Sequence, residues 1–166
     1  MLGKVTSDNR AATALRVMLY RPSKHTSVTY TGQARALAVT LGDMPKRILI
    51  VDDSAATRRL VQTFLESGAG LEVCGEAADG VEAIEKTSEL KPDLIVLDLF
   101  MPRMNGLETA SMLRLIAPNA PIIMLTFFKD ALSGSQARDA GVASVLSKTD
   151  RLSLVVEETQ RLLGVS

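Results

Sequence analysis

From Lys46 onward two hydrophobic patterns alternate along the chain. Ile48-Leu49-Ile50-Val51 is an unbroken apolar run of strand length that stops at Asp52-Asp53-Ser54, after which Leu60, Val61, Phe64 and Leu65 recur at helical spacing. Leu71 to Ala77 alternates as a shorter strand, and Asp79 is placed to cap a helix carrying Val81, Ala83, Ile84 and Leu90. Leu94-Ile95-Val96-Leu97 repeats the buried-strand signature and ends on Asp98, with the turn residues Met101-Pro102 and Asn105-Gly106 beyond it. Asn105 followed three positions later by Glu108 predicts a helix start. Ile122 to Leu125 ends on Thr126, a helical stretch of about 130–140 follows, and Val142 to Leu146 gives a fifth strand ending near Lys148. Asp150 is then expected to open a last helix with Leu152, Val155, Val156, Leu162 and Leu163 on one face.

Five strand–helix units in alternation predict an α/β fold, a doubly wound five-stranded parallel sheet with right-handed crossovers. Strands covered by helices on both faces read as continuous apolar runs, as these do. The first 45 residues do not share the pattern. They are rich in serine and threonine, and beyond Ala11 to Tyr20 they show no sustained period, so residues 1–45 are expected to be a poorly structured tail or to precede a true start at Met44. They lack the compact apolar segment and small-residue cleavage site of a secretory signal.

Composition sharpens this division. The 19 basic and 19 acidic residues cancel, but residues 1–45 carry six basic against two acidic, a net +4, and residues 46–166 carry −4. The basic tail residues Arg10, Arg16, Arg21, Lys24 and Arg35 could touch phosphates, but only Tyr20 and Tyr30 interleave them, and DNA binding is not expected. No apolar run approaches the roughly 20 residues that span a bilayer. Cys74 is the single cysteine, so neither an internal disulfide nor a thiolate zinc cluster is available, which fits a reducing, cytoplasmic setting.

In parallel sheets of this kind ligands sit at the carboxyl ends of the strands. Four strand ends here carry groups able to do chemistry: Asp52 and Asp53, Asp98, Thr126, and Lys148. Each has a structural reading on its own, because an aspartate caps helices, a threonine ends strands and a lysine decorates surfaces. Their conjunction at one rim carries more weight. Three neighbouring carboxylates repel unless a cation or a proton relieves them, and hard divalent ions favour oxygen ligands, so the trio suits Mg2+.

These segments, Ile48 to Ser54, Asp93 to Pro102 with Asn105-Gly106, Ile122 to Thr126, and Ala140-Gly141 through Lys148, make residues 46–166 resemble the receiver domain of two-component response regulators. The resemblance implies a flavodoxin-like sheet of order 2-1-3-4-5 and an aspartyl-phosphate switch driven by a histidine kinase or phosphotransfer protein. It makes Asp98 the phosphoacceptor, Asp52 and Asp53 the metal-binding pair joined by Asp98 and the backbone carbonyl of Phe100, Thr126 the switch hydroxyl, and Lys148 the phosphate-contacting lysine. The expected function is phosphorelay signalling by a phosphoacceptor protein that assists its own phosphorylation and dephosphorylation but is not otherwise an enzyme. Because the chain stops at Ser166, right after the last helix, a stand-alone receiver acting on an unknown output protein is the expectation.

Three departures bear on the switch. The position usually aromatic in the fifth strand is Val145, and Lys148 is followed by Thr149 instead of proline. Phe127 and Phe128 follow Thr126, and Phe100 lies just beyond Asp98, so three of the four phenylalanines flank the expected site and are expected to shield it from water. The alternative reading is a receiver-like docking module that binds its partner largely independently of phosphorylation.

Overall fold

The apolar runs become strands because both of their faces are covered. In the computed structural model, which describes residues 44–165, the elements are β1 (Lys46–Val51), α1 (Ala55–Ser67), β2 (Leu71–Ala77), α2 (Gly80–Leu90), β3 (Leu94–Leu97), α3 (Gly106–Ile116), β4 (Ile122–Thr126), a 3-10 turn (Lys129–Ala131), α4 (Gly134–Asp139), β5 (Ser144–Ser147) and α5 (Ser153–Leu163). The strands form one parallel sheet in the order β2-β1-β3-β4-β5. This is the doubly wound, flavodoxin-like arrangement. Expectations for residues 1–43 lie outside the described residues.

Alternation within each run sends side chains to two cores. Leu49, Val51, Ile95, Leu97, Ile122 and Met124 face α2, α3 and α4, meeting Ala83, Ala110, Leu113 and Ala137. Ile48, Ile50, Leu94, Val96, Ile123 and Leu125 face α1 and α5, meeting Val61, Leu65 and Val155. Each fully buried Leu or Ile contributes roughly 1.5–3 kcal/mol from removal of apolar surface from water. The two layers therefore anchor every strand, and hence every strand end, from both sides. Among the described residues no helix is long and apolar enough to cross a membrane.

Two helix starts fall on the expected caps, Asp79 and Asn105, and a third falls on Ser54, just beyond the Asp52-Asp53 pair. Ser54 accepts a hydrogen bond from Thr57 N, Asp79 accepts from Val81 N and Glu82 N, and Asn105 and Glu108 form a reciprocal capping box. Three expectations are corrected. The helical stretch near 130–140 is divided, because Leu132 is extended and Ser133 with Gln136 makes a second capping box that starts α4 afresh. Asp150 does not cap α5; its carboxylate accepts from Ser147 N at 3.2 Å, and α5 begins at Ser153 without a side-chain cap. β5 also lies slightly later than expected, with Val142 buried in the turn before it. In β2 the pairing shifts between Val73 and Gly75, leaving Cys74 as a bulge, half-buried, where burial pushes its thiol up and away from reactivity.

Candidate functional site

Sheet order decides which strand ends become neighbours. The direction of winding reverses between β1 and β3, the position where doubly wound sheets open a crevice. Asp52 and Asp53 follow β1 and Asp98 follows β3, so the three aspartates meet there, with one carboxylate oxygen from each lying within 4.8 Å of the others. β4 and β5 continue the rim, placing Thr126 and Lys148 beside them.

Lys148 holds the cluster together. Its Nζ lies 2.7 Å from Asp52 Oδ2 and 2.9 Å from Asp98 Oδ2, and its side chain is only 6% exposed. Asp52 and Asp98 are buried, whereas Asp53 faces solvent at the mouth. The remaining oxygens of the buried pair are used locally: Asp52 Oδ1 accepts from Ser54 N at 2.9 Å, and Asp98 Oδ1 from Leu99 N at 2.7 Å. With all groups ionised, three carboxylates face one ammonium, so two negative charges lack a partner. Burial pushes the Asp98 carboxyl above its usual range; Lys148 opposes the rise and Asp52 adds to it. An all-oxygen donor set with uncompensated charge is what a hard divalent cation fits.

Thr126 is fully buried at the end of β4. Its Oγ1 accepts from Phe128 N at 3.1 Å, so its own proton remains available to donate elsewhere. Its carbonyl accepts from Lys148 N at 2.9 Å, tying the two rim residues through their backbones. Val145 is half-buried and packs with the α2–α4 core, so the fifth strand presents no aromatic to Thr126. Phe100, Phe127 and Phe128 gather at the same rim, all more than half exposed. The ring of Phe127 lies 5.3 Å from Lys148 Nζ, within cation–π range, while Phe100 and Phe128 meet edge to face with centroids 5.0 Å apart.

Several supporting residues were not picked out from the sequence. Arg58 donates to the backbone carbonyl of Asp52 at 2.7 Å and pairs with Glu76 at 2.6 Å, clamping the β1–α1 turn. Arg103, in the left-handed region at φ 68, reaches back to pair with Asp79 and so ties the β3–α3 loop to the α2 cap. Gly106 is needed because a Cβ there would stand 2.2 Å from the carbonyl oxygen of Asp98. Only Gly106 lay inside a segment that the sequence marked; the arginines act across elements, and no local pattern signals that.

Fold and site together define a flavodoxin-like α/β protein with a carboxylate cluster and a bridging lysine at its switch point. Residues 48–159 match the family model described as the response regulator receiver domain. The chain is 40% identical over 119 residues to the chemotaxis protein CheY of Thermotoga maritima, covering 72% of this chain and 98% of that one. It is 36% identical to the response regulator protein VraR of Staphylococcus saprophyticus, where the match covers 71% of this chain and 56% of the relative. Among solved structures, the response regulator domain of Thermotoga maritima CheB superposes with a TM-score of 0.67 at 29% identity, covering 74% of this chain and 98% of that one. A chain of the CheX–CheY–BeF3–Mg2+ complex from Borrelia burgdorferi has a TM-score of 0.67 at 26% identity, covering 72% of this chain and 90% of that one. The chain belongs to the response regulator receiver family, whose members work in phosphorelay signalling.

Proposed function

We propose that residues 46–166 form a receiver that takes a phosphoryl group onto Asp98 in a Mg2+-dependent reaction. The observation that carries this reading is the single ammonium of Lys148 bridging Asp52 and Asp98 in a cluster still short of two positive charges. Asp53, Asp98 and the backbone carbonyl of Phe100 would hold Mg2+, with Asp52 acting partly through water. When bound, the ion supplies neutralising charge for the transferred phosphoryl oxygens.

The chain's own residues do the rest. A carboxylate oxygen of Asp98 forms a bond to phosphorus as the bond from phosphorus to the donor nitrogen of a phosphohistidine breaks, and the donor keeps the electron pair. Lys148, held rigid by burial, neutralises oxygens of the group in transit. The amino termini of α1 and α3 open onto the same crevice and favour added negative charge. Thr126 then donates its free proton to a phosphoryl oxygen, drawing the loop after β4 with it. Output therefore runs through that loop and not through a rotating aromatic on β5, since that position is Val145.

The phosphodonor is a histidine kinase or phosphotransfer protein of the same cytoplasmic compartment. The likeness to a chain of the Borrelia CheX–CheY complex, which contains beryllofluoride and Mg2+, supports the ion and the phosphoryl reading. The test is to incubate the protein with Mg2+ and acetyl phosphate and weigh it intact. One phosphoryl group is expected on the wild type and none on Asp98→Ala. Phosphate retained by Asp98→Ala would move the nucleophile elsewhere, and none on either protein would return the phosphorylation-independent docking module.

A further inference from the structure

Two arginines outside the charge cluster reach the same short stretch, 76–79, from opposite sides. Arg58, on α1, donates to the backbone carbonyl of Asp52 at 2.7 Å and to the Glu76 carboxylate at 2.6 Å. Arg103, on the loop after β3, pairs with the Asp79 carboxylate. Glu76 lies near the end of β2 and Asp79 caps α2, so both arginines are anchored at the β2–α2 junction.

That junction carries no residue of the cluster, yet it is held from several directions. Lys86 donates to the Glu76 carbonyl and pairs with Glu82 at 2.7 Å, and Glu82 accepts from Ala78 N at 2.7 Å. The Ala77 carbonyl accepts from Asp52 N at 3.1 Å. A Cβ on Gly80 would stand 2.1 Å from Thr109 Oγ1 and 3.0 Å from Met104, so α3 and the loop before it rest directly on the first turn of α2.

The donors beside it need such support. Among the described residues no hydrogen bond or ion pair engages the carboxylate of Asp53, which is exposed. Its direction follows from the peptide linking Asp52 to Asp53, and Arg58 holds the oxygen of that peptide. Phe100, which offers a backbone carbonyl, stands three residues before Arg103, and Arg103 takes the left-handed conformation at φ 68 that turns the chain back. Contacts one step removed from a metal orient ligands that cannot orient themselves.

Resting on the Mg2+ site proposed above, we infer that Arg58 and Arg103 are positioning residues: they tie the two donor-bearing loops to one braced turn and so set the affinity for Mg2+. Neither touches the ion. Coulomb's law alone gives the opposite sign, because each arginine brings positive charge toward a cation's site, and its removal would tighten binding.

Isothermal titration calorimetry of the folded protein with magnesium chloride reads the difference. Arg58→Met and Arg103→Met are each expected to raise the Mg2+ dissociation constant about tenfold. Arg58→Lys keeps the charge but lacks the fork that serves two acceptors at once, and should fall between wild type and Arg58→Met. Arg103 is more than half exposed, so its substitution leaves both cores intact. Val61→Ala opens a cavity under the same helix as Arg58 without touching either tie, and should bind Mg2+ within about twofold of wild type. A dissociation constant unchanged or lowered in either Met variant would overturn the role of that arginine, and a rise in Val61→Ala equal to theirs would overturn both. Wild-type protein that takes up no Mg2+ would overturn the metal reading itself, a separate result read before any variant is compared.

Discussion

The two ends of the sheet offer opposite electrostatic conditions, and the chain uses them differently. At the carboxyl ends of the strands, helix amino termini present the positive ends of their dipoles, and there three aspartates crowd around one lysine. At the amino ends a shallow cavity of about 650 Å³ opens among Lys46, Thr87, Lys91, Asp93 and Leu162. Two of its charges have partners close by: Lys91 caps the carboxyl terminus of α2, where a cation suits the negative end of the dipole, and Asp93 accepts from Arg47 N at 2.8 Å. The Thr87 hydroxyl is buried there without a partner, but it is neutral. Volume alone points to the amino end. Crowded negative charge that the protein itself leaves short of cations points to the other, and the proposed phosphoryl transfer needs that site.

The contrast can be broken most severely at Lys148. Lys148→Met leaves two buried carboxylates facing each other without their cation, and a loss of about 3 kcal/mol in urea unfolding without Mg2+ is expected. A next-largest effect comes from the ion. Mg2+ at about a hundred times its dissociation constant should add about 2.7 kcal/mol to the wild type, and much less to Asp53→Ala, when thermal or urea unfolding is followed with and without the ion. No comparable gain is expected from sites at the amino end.

Asp79 sharpens the comparison, being a buried carboxylate next to the site whose charge is satisfied. The Arg103 guanidinium, and then the backbone N–H groups of Glu82 and Val81, hold its carboxyl below its usual range. Its folded value lies under the unfolded 3.8, so its contribution is full above that pH and disappears as pH falls through the folded value. Asp79→Ala should cost about 1 kcal/mol at pH 7, mainly as a lost cap, and its deficit should narrow in strongly acidic unfolding experiments. The smallest effect belongs to the opposite pole: Lys91→Met should change stability by no more than about 0.5 kcal/mol and leave phosphoryl loading at Asp98 intact.

The strands and their ends were legible because burial on both faces writes itself as an unbroken apolar run, and each run stops where chemistry begins. Asp79 and the Asn105–Glu108 box were legible for a local reason, since a cap lies within one turn of what it caps. The divided helix before β5 shows the limit of that reasoning: a smooth helical pattern hid the second box at Ser133 and Gln136. Asp150 had two nearby uses, and the N–H of Ser147 won over the first turn of α5. The pairing of Arg58 with Glu76, the tie from Arg103 to Asp79, and the pairing of Phe100 with Phe128 join residues 18 or more positions apart on different elements. Periodicity carries no record of such contacts. The phenylalanines could be counted at the rim from the sequence, but which ring chose which neighbour could not.

Gly106 gives α3 a mechanical role. Its N–H donates to Leu99 O at 2.7 Å, and only a hydrogen atom fits between its Cα and the backbone carbonyl of Asp98. The first turn of the helix thus sits on the main chain of Asp98 without slack. If that peptide shifts, α3 must tilt or slide along with it, carrying the exposed Met112, Leu115 and Ile116 at its far end.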